Sequence, residues 1–278
     1  MIHSHPLDHL LEDDSIQLEQ QVSILKIWLN RPDSRNAMSL NMVKSIMHVF
    51  NAIAADTSIR AVVFRGHGNH FCAGGDIKDM AAIRAAAMNE GSNKPYIDFN
   101  RTFGAMIELV DQAPQTVVAV LEGAVLGGGF GLACISDVAI SHQDAQFGLP
   151  ETGLGILPAQ IAPFVVKRVG LTQARRLALL GARFNGQKAL QYGVVHEVAQ
   201  SEAELEELIE TTLEQIKRTA PLASRATKAL LHRAASNEAV GALLDDAAVQ
   251  FAEAVNSSEG MEGTMAFIQK RKATWADE

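Results

Sequence analysis

Cysteine is scarce in this chain, with two residues, Cys72 and Cys134, among 278. They lie far apart among apolar or small residues, so they form neither the dense framework of a disulfide-stabilised protein nor a pair with metal-ligand spacing. We therefore expect two reduced, structural thiols, no metal site and a cytoplasmic protein.

Runs of lysine and arginine are also missing. The chain has 24 of these residues against 32 aspartates and glutamates, which gives a net charge of -8. A nucleic-acid-binding surface needs a basic patch or stripe, so the composition argues against a nucleic-acid partner.

The amino-terminal segment lacks an apolar stretch. Residues 1–14 carry several acids and the histidines His3, His5 and His9, and they have neither the hydrophobic region of a signal peptide nor the length of a membrane span. We expect residues 1–15 to form a flexible tail whose histidines bind no metal, and we expect no membrane association.

Familiar nucleotide and metalloprotease motifs are absent. Residues 127–131 read G-G-G-F-G, which lacks the G-x-G-x-x-G spacing of a dinucleotide site, and neither G-x-x-x-x-G-K-[ST] nor H-E-x-x-H occurs. The chain also shows no internal repeat and no low-complexity tract. The glycine run therefore needs another explanation.

The chain does have the composition of a globular protein, with 47% hydrophobic and 20% charged residues. Runs rich in β-branched and aromatic residues predict strands at 22–29, 61–65 and 116–121, and weaker ones at 137–141 and 194–198. Residues 40–54 repeat apolar side chains with helical spacing behind Ser39, a suitable N-cap. Strands that alternate with helices predict an α/β core.

After about residue 200 the pattern becomes helical. Ser201 and Glu204 form a capping-box signature ahead of an apolar stripe, and Pro221 ends that helix. Further helices are predicted at 222–235, 238–256 and 260–275. We therefore divide the chain into the tail (1–15), an α/β core (16–200) and a helical carboxyl-terminal region (201–278).

Two glycine-rich segments each follow a predicted strand. Residues 127–131 follow the strand 116–121, and residues 70–76, H-F-C-A-G-G-D, follow the strand 61–65. Glycine lets a backbone approach a ligand closely, and free N–H groups at a helix start stabilise negative charge. Two such loops can bracket one oxygen. Tight turns and close packing are the alternative explanation.

Glu151 follows Pro150 in a loop of mostly uncharged residues. Burial in such surroundings raises the pKa of a carboxyl group, which suits proton exchange with a carbon or a water molecule. The alternative is a solvated loop glutamate.

Three motifs occur in order along the chain: A-G-G-D-I-K-D-M at 73–80, G-A-V-L-G-G-G-F-G at 123–131 and Q-F-G-L-P-E at 146–151. Together they resemble motifs of the enoyl-CoA hydratase/isomerase, or crotonase, superfamily, and further matches extend the resemblance over about residues 16–275. The resemblance implies a spiral of β-β-α units with a carboxyl-terminal helical trimerisation region, the trimers often pairing into hexamers.

The resemblance also implies roles for single residues. The backbone N–H groups of Ala73 and Gly128 would hold the thioester carbonyl oxygen, and Glu151 would transfer protons. No cofactor is implied, because coenzyme A is part of the acyl-CoA substrate. Residues implied to contact that substrate are Arg35, Ala37, Asp76, Ile77, Lys78 and Gly131, with Phe267 and Lys270 reaching the nucleotide from a neighbouring subunit.

Departures from the family pattern bear on the reaction. Hydratases of this superfamily usually carry a first glutamate at the position of Gly131, so the carboxylate pair is broken, and neither Glu122 nor Asp144 is expected to replace it. Residues 158–166 and Gly131 resemble hydratases of branched glutaconyl-CoA thioesters, which serve leucine and acyclic-terpene breakdown. We therefore expect reversible hydration of 3-isohexenylglutaconyl-CoA or 3-methylglutaconyl-CoA, favouring the former because Gly131 would leave room for a longer acyl tail.

Two other functions stay open. One is an isomerase in which Glu151 alone moves a proton between carbons. The other is a non-catalytic acyl-CoA-binding protein, which the broken carboxylate pair permits. Proton exchange at C2 of an acyl-CoA would distinguish an enzyme from a binding protein.

Overall fold

Strands rich in β-branched and aliphatic residues build two sheets in the computed structural model, which describes residues 5–277. Within that range the strands are β1 (Ile16–Gln21), β2 (Ile24–Leu29), β3 (Ala61–Gly66), β4 (Thr116–Leu121), β5 (Ala124–Leu126), β6 (Val138–His142), β7 (Gln146–Gly148), β8 (Arg183–Asn185) and β9 (Glu197–Ala199). The larger sheet has the order β1-β2-β3-β4-β6-β9, and the smaller sheet has the order β5-β7-β8.

Parallel pairing dominates the larger sheet. Only β1 and β2 pair antiparallel there; the other neighbours run parallel. The central strand β3 is buried at nearly every position, as expected for a strand covered on both faces. Val62 and Phe64 face the main core, whereas Ala61 and Val63 face a second core on the opposite side.

Helices cover both faces of this sheet. Within the described residues they are α1 (Leu40–Ile53), α2 (Ile77–Glu90), α3 (Lys94–Asp111), α4 (Gly128–Ile135), α5 (Ala162–Leu180), α6 (Gly186–Gln191), α7 (Glu202–Arg218), α8 (Pro221–Ala234), α9 (Val240–Asn256) and α10 (Ser258–Gln269). Side chains of α1 and α3 fill the main core, and Leu205 and Ile209 of α7 fill the second. Gly170, with φ of 74°, interrupts α5.

The chain passes repeatedly from the larger sheet to the smaller one and then into a helix. β4, β5 and α4 follow one another in this way. After β3, a bridge between Cys72 and Val125 places the next segment beside β5 before α2 begins. The predicted α/β fold class is confirmed.

Predicted helix starts agree with the observed caps. The Ser39 hydroxyl accepts a hydrogen bond from the backbone N–H of Met42, 3.2 Å away, at the start of α1. At the start of α7, Ser201 accepts from the N–H of Glu204 (3.3 Å), and the Glu204 carboxylate accepts from the N–H of Gln200 (2.7 Å). Both capping predictions are confirmed.

The carboxyl-terminal region is helical, as predicted. Pro221 opens α8, and no strand follows Ala199 within the described residues. The division of the chain into three parts stays a prediction.

The segment expected to be a tail makes contacts in the structure from residue 5 onward. A 3-10 turn spans Asp8–Leu10, Leu7 and Leu11 pack against the main core, and the N–H of Glu12 donates to Ser45 of α1 (2.8 Å). His3 and the rest of residues 1–4 lie outside the described residues. Among the described residues, no helix combines the length and apolarity needed to cross a bilayer.

Candidate active site

The loop after β3 lies alongside β5, and hydrogen bonds fix its register. The N–H of Cys72 donates to the carbonyl of Ala124 (2.8 Å), and the N–H of Leu126 donates to the carbonyl of Cys72 (2.9 Å). His70 accepts a hydrogen bond at Nδ1 from the N–H of Ala124 (3.1 Å), which orders the start of the loop. The two glycine-rich segments are therefore neighbours.

This register brings the glycines of the two segments together. Cys72 is opposite Val125, and a β-carbon placed on Gly74 would lie 3.4 Å from the carbonyl oxygen of Leu126. A β-carbon placed on Gly127 would lie 3.6 Å from the Cα of Gly74. Gly127 also has φ of 50°, a conformation that other residues rarely adopt.

The structure corrects the prediction that Ala73 donates to the substrate oxygen. The N–H of Ala73 already donates to the carbonyl of Arg35, 3.0 Å away. The exposed Gly75 is different, since its N–H has no acceptor among the described residues. Gly128 is the first residue of α4, where an N–H has no partner within the helix. Gly75 and Gly128 therefore offer the two free donors.

Glu151 begins a 3-10 turn, Glu151–Leu154, that is fixed to α5. The N–H of Ile156 donates to the Glu151 carbonyl (3.0 Å) and closes the turn. The Thr152 hydroxyl donates to the carbonyl of Ala178 in α5 (2.7 Å). The Glu151 Oε2 atom is buried and has no hydrogen-bond partner among the described residues. Burial raises the pKa of this carboxyl group.

The carboxylate lies beside the glycine loops. A β-carbon on Gly127 would be 3.0 Å from Glu151 Oε1. The site thus combines two free N–H donors with one desolvated carboxylate. Such a site can hold a developing oxyanion and exchange a proton with the atom next to it.

The structure also corrects the expectation that Gly131 leaves room for an acyl tail. Gly131 is buried, and a β-carbon there would lie 2.3 Å from Ile161 Cγ2 and 3.6 Å from Ile107 Cδ1. The side chain of Ile161 therefore occupies the place where the family pattern has a carboxylate.

Neither Glu122 nor Asp144 is placed to replace that carboxylate. Glu122 is buried and pairs with Arg65, 2.7 Å away, which also pairs with Glu202 and Glu206 of α7. Asp144 is exposed beside His142. These positions agree with the expectation for both residues.

Residues of α3 line the site, and sequence reasoning missed them. A β-carbon on Gly128 would be 3.1 Å from the ring of Phe103. A β-carbon on Gly104 would be 1.9 Å from Gln160 Oε1, and Gln160 donates from Nε2 to Asn100 Oδ1 (2.8 Å). Only the glycine inside an amphipathic helix could have suggested this contact.

The residues expected to contact coenzyme A lie around the first loop. Arg35, Ile77 and Lys78 are exposed, and Ala37 is half-buried. Asp76 is mostly buried, so its carboxylate has little exposure to a ligand. It caps α2 at the N–H of Lys78 (2.7 Å) and pairs with Arg31 (2.5 Å).

Burial disfavours ionisation of Asp76, yet these two contacts hold the pKa of its carboxyl group below the usual value. The structure thus gives Asp76 a role in fixing the loop between Ala73 and α2. Phe267 and Lys270, the expected nucleotide contacts from a neighbouring subunit, are exposed at the end of α10.

Both thiols are free and buried, as predicted from their scarcity and surroundings. Burial raises the pKa of Cys72 to about 11 and that of Cys134 to about 12. Cys72 contributes to the site through its backbone, and its sulfur contacts the backbone of Gly74.

Comparison with known proteins identifies the family to which this chain belongs. The model of the family described as enoyl-CoA hydratase/isomerase matches residues 19–278. The 2,3-dehydroadipyl-CoA hydratase of Escherichia coli (strain K12) is 31% identical over 255 residues, which are 91% of this chain and 95% of that protein.

Solved structures are similar over nearly the whole chain. Pseudomonas aeruginosa AtuE is 60% identical with a TM-score of 0.91, over 94% of this chain and 99% of that one. An enoyl-CoA hydratase/isomerase from Marinobacter aquaeolei is 55% identical with a TM-score of 0.91, over 95% and 100% of the two chains. The chain is therefore a member of the enoyl-CoA hydratase/isomerase family of enzymes.

Proposed function

We propose that this enzyme is a hydro-lyase that adds water reversibly to a branched 2-enoyl-CoA thioester, with Glu151 as its one proton-transferring carboxylate. The observation that carries the proposal is the Glu151 carboxylate beside Gly127, whose buried Oε2 atom has no hydrogen-bond partner among the described residues. Relatives named as hydratases support this class of reaction.

The N–H groups of Gly75 and Gly128 hold the thioester carbonyl oxygen in this proposal. Their hydrogen bonds strengthen as negative charge develops on that oxygen, which makes C3 of the double bond electrophilic. The donors to the thioester oxygen are backbone atoms in this proposal, and glycine, which has no side chain, lets the substrate approach them closely.

A single carboxylate is sufficient for the addition. Water attacks C3 as the ionised Glu151 takes one of its protons, and the electron pair of the double bond passes into the enolate. The enolate then takes this proton at C2, which regenerates the carboxylate. The hydroxyl and the proton together account for one water molecule, and dehydration is the reverse.

We further propose 3-isohexenylglutaconyl-CoA or 3-methylglutaconyl-CoA as the substrate, in terpene or leucine breakdown. The support is the resemblance of Gly131 and residues 158–166 to hydratases of these thioesters, together with a relative named for a dehydroadipyl thioester. Because Ile161 fills the space at Gly131, a long tail would have to leave the site along another wall.

The test uses Glu151→Gln, which keeps the shape of the side chain and removes the base. The variant is expected to lower kcat about 10²- to 10⁴-fold on whichever of crotonyl-CoA, 3-methylglutaconyl-CoA and 3-isohexenylglutaconyl-CoA the wild type hydrates. Glu90→Gln, which changes an exposed glutamate at the end of α2, is the matched control and should keep normal turnover.

The product analysis separates the alternatives. A 3-hydroxyacyl-CoA product supports the hydratase, whereas a shifted double bond identifies an isomerase that uses the same carboxylate. Binding without deuterium exchange at C2 would identify an acyl-CoA-binding protein. Near-normal turnover by Glu151→Gln would contradict the proposed role of this residue.

We also propose that the chain works in the cytoplasm as a homotrimer or hexamer. The support for the assembly is an apolar stripe on one face of α9. Its exposed side chains are Val240 (69%), Leu244 (62%), Phe251 (70%) and Val255 (50%). An apolar stripe of this kind is typical of a surface that another subunit covers, and the resemblance makes that subunit a second copy of this chain.

A further inference from the structure

The middle of α3 carries a group of polar side chains beside Phe103, the residue that approaches the site. Phe103 of this helix contacts Gly128, whose N–H is one of the two donors. On the next residue, Gly104, any side chain would collide with Gln160, because a β-carbon would lie 1.9 Å from Gln160 Oε1. The missing side chain lets Gln160 lie directly on the helix.

Gln160 and Asn100 form an amide pair there. Gln160 Nε2 donates to Asn100 Oδ1 at 2.8 Å, and both side chains are half-buried. This bond fixes the Asn100 amide with its oxygen occupied. Its two N–H donors have no acceptor among the described residues and are free to bind a ligand.

Arg101 adds a positive charge beside the same pair. Its NH1 atom would lie 2.9 Å from a β-carbon on Gly104, the point that Gln160 also approaches. Its NH2 atom pairs with Glu108 at 2.7 Å, but both of these side chains are 58% exposed. An ion pair this exposed contributes little and exchanges readily.

We propose that Asn100 and Arg101, with Gln160 holding Asn100 in place, bind a carboxylate at the far end of the acyl group. The enzyme would then select coenzyme A monothioesters of short dicarboxylic acids. This inference rests on the proposed function, since it names the class of acyl group that the same site takes.

The chemistry of the wall fits such a ligand. A guanidinium N–H and an amide N–H are donors that carboxylate oxygens prefer. On the surface of α3, Asn100 is a neighbour of Phe103, the apolar side chain whose ring approaches Gly128. The polar group thus adjoins an apolar side chain of the site, as the second carboxylate of a dicarboxylic monothioester adjoins its carbon chain.

The test measures binding of two saturated, unreactive thioesters by calorimetry. 3-Methylglutaryl-CoA carries the distal carboxylate, and 3-methylbutyryl-CoA has the same branched skeleton without it. The wild type is expected to bind the first about 10- to 100-fold more tightly, and Arg101→Gln is expected to reduce this ratio to about one.

Two further variants sharpen the test. Glu108→Gln removes the competing carboxylate from Arg101 and is expected to increase the ratio roughly two- to fivefold. Arg218→Gln removes an exposed arginine on α7, on the other face of the sheet, and should keep the wild-type ratio.

Three outcomes would overturn the inference. They are equal binding of both thioesters by the wild type, an undiminished ratio in Arg101→Gln, and an equal loss of the ratio in Arg218→Gln. Because neither thioester reacts, a wild-type preference that Arg101→Gln abolishes supports the carboxylate subsite even where hydration assays fail.

Discussion

At the scale of single residues, Glu151 derives its chemistry from burial. Its Oε2 atom is buried with no hydrogen-bond partner among the described residues, and its Oε1 atom lies beside Gly127. Because water no longer solvates the charged form fully, the pKa of the carboxyl group is raised. A base whose pKa is closer to neutrality is better suited to taking a proton and giving it back.

The raised pKa predicts how activity depends on pH. In the proposed mechanism the ionised carboxylate is the base, so kcat/KM should fall as the pH falls through the folded-state pKa, with its midpoint above the usual value of 4.5. A pH–rate profile of hydration measures this midpoint. A limb at or below 4.5 would contradict the burial argument.

The same burial provides a folding control. A carboxyl group whose pKa is raised in the folded state costs stability at pH values above its unfolded-state pKa, and this cost disappears as the pH falls. Glu151→Gln should therefore be at least as stable as the wild type at pH 7 in thermal unfolding. A loss of activity in this variant then reports on chemistry and not on unfolding.

The contact between Gly131 and Ile161 gives another prediction at the scale of single residues. Gly131→Ala should destabilise the fold by about 1–3 kcal/mol, because its β-carbon would overlap Ile161. Ile161→Ala should cost about 2–4 kcal/mol through a cavity.

The double variant Gly131→Ala/Ile161→Ala should cost less than the sum of the two, with a coupling energy of about 1 kcal/mol. Denaturant unfolding of the four proteins measures this energy. Strict additivity would show that the two side chains do not compete for one space.

At the scale of secondary-structure elements, strands were predictable where they are buried and long. β4 was predicted with its observed bounds, and β2, β3, β6 and β9 were predicted within a few residues, because β-branched runs fill the central sheet. β1 was missed because its sequence I-Q-L-E-Q-Q is largely polar. β5, β7 and β8 are three residues each and were missed; β9 is equally short but is the exception, because Val194 and Val195 before it extend its β-branched pattern.

Arg60 connects several elements and provides a prediction at this scale. Its side chain is 7% exposed, and it donates to the carbonyls of Ile216 and Lys217 at 2.8 Å and of Trp275 at 2.7 Å. These bonds satisfy the carboxyl end of α7.

Arg60→Met should lower the free energy of unfolding by about 2–4 kcal/mol, because partly buried carbonyls lose a charged donor. Denaturant unfolding measures the change, and the exposed Arg218→Gln should leave stability within about 0.5 kcal/mol. An unchanged midpoint for Arg60→Met would show that other groups or water satisfy these carbonyls.

At the scale of the whole molecule, the carboxyl-terminal helices expose several large apolar side chains. On α9, Leu244 and Phe251 are separated by two helical turns and point the same way. The proposed trimer or hexamer would cover this face and bring Phe267 and Lys270 of one copy to the nucleotide of another.

Leu244→Asp/Phe251→Asp should therefore dissociate the assembly, as analytical ultracentrifugation would show, and raise KM for the acyl-CoA about tenfold or more. The control is Val22→Asp, which changes a 72% exposed side chain in the β1–β2 turn, where φ of 51° suits aspartate. A wild type that sediments as a monomer would contradict the proposed assembly.

Three features were determined by the sequence alone. The buried β-branched runs and the capping residues determined the α/β fold class, because the strands and helices that they form depend on residues close to one another in the chain. The motif order determined the family, and the loop acid Glu151 was identified as the candidate base.

The tertiary structure decided which atoms of those motifs are free to act. The N–H of Ala73 is taken by the carbonyl of Arg35, whereas the N–H of Gly75 is left free among the described residues, and the space at Gly131 is filled by Ile161. Both outcomes depend on contacts between segments that are tens of residues apart in the chain. No local pattern encodes such contacts, since they arise only when the two sheets and α3 pack together.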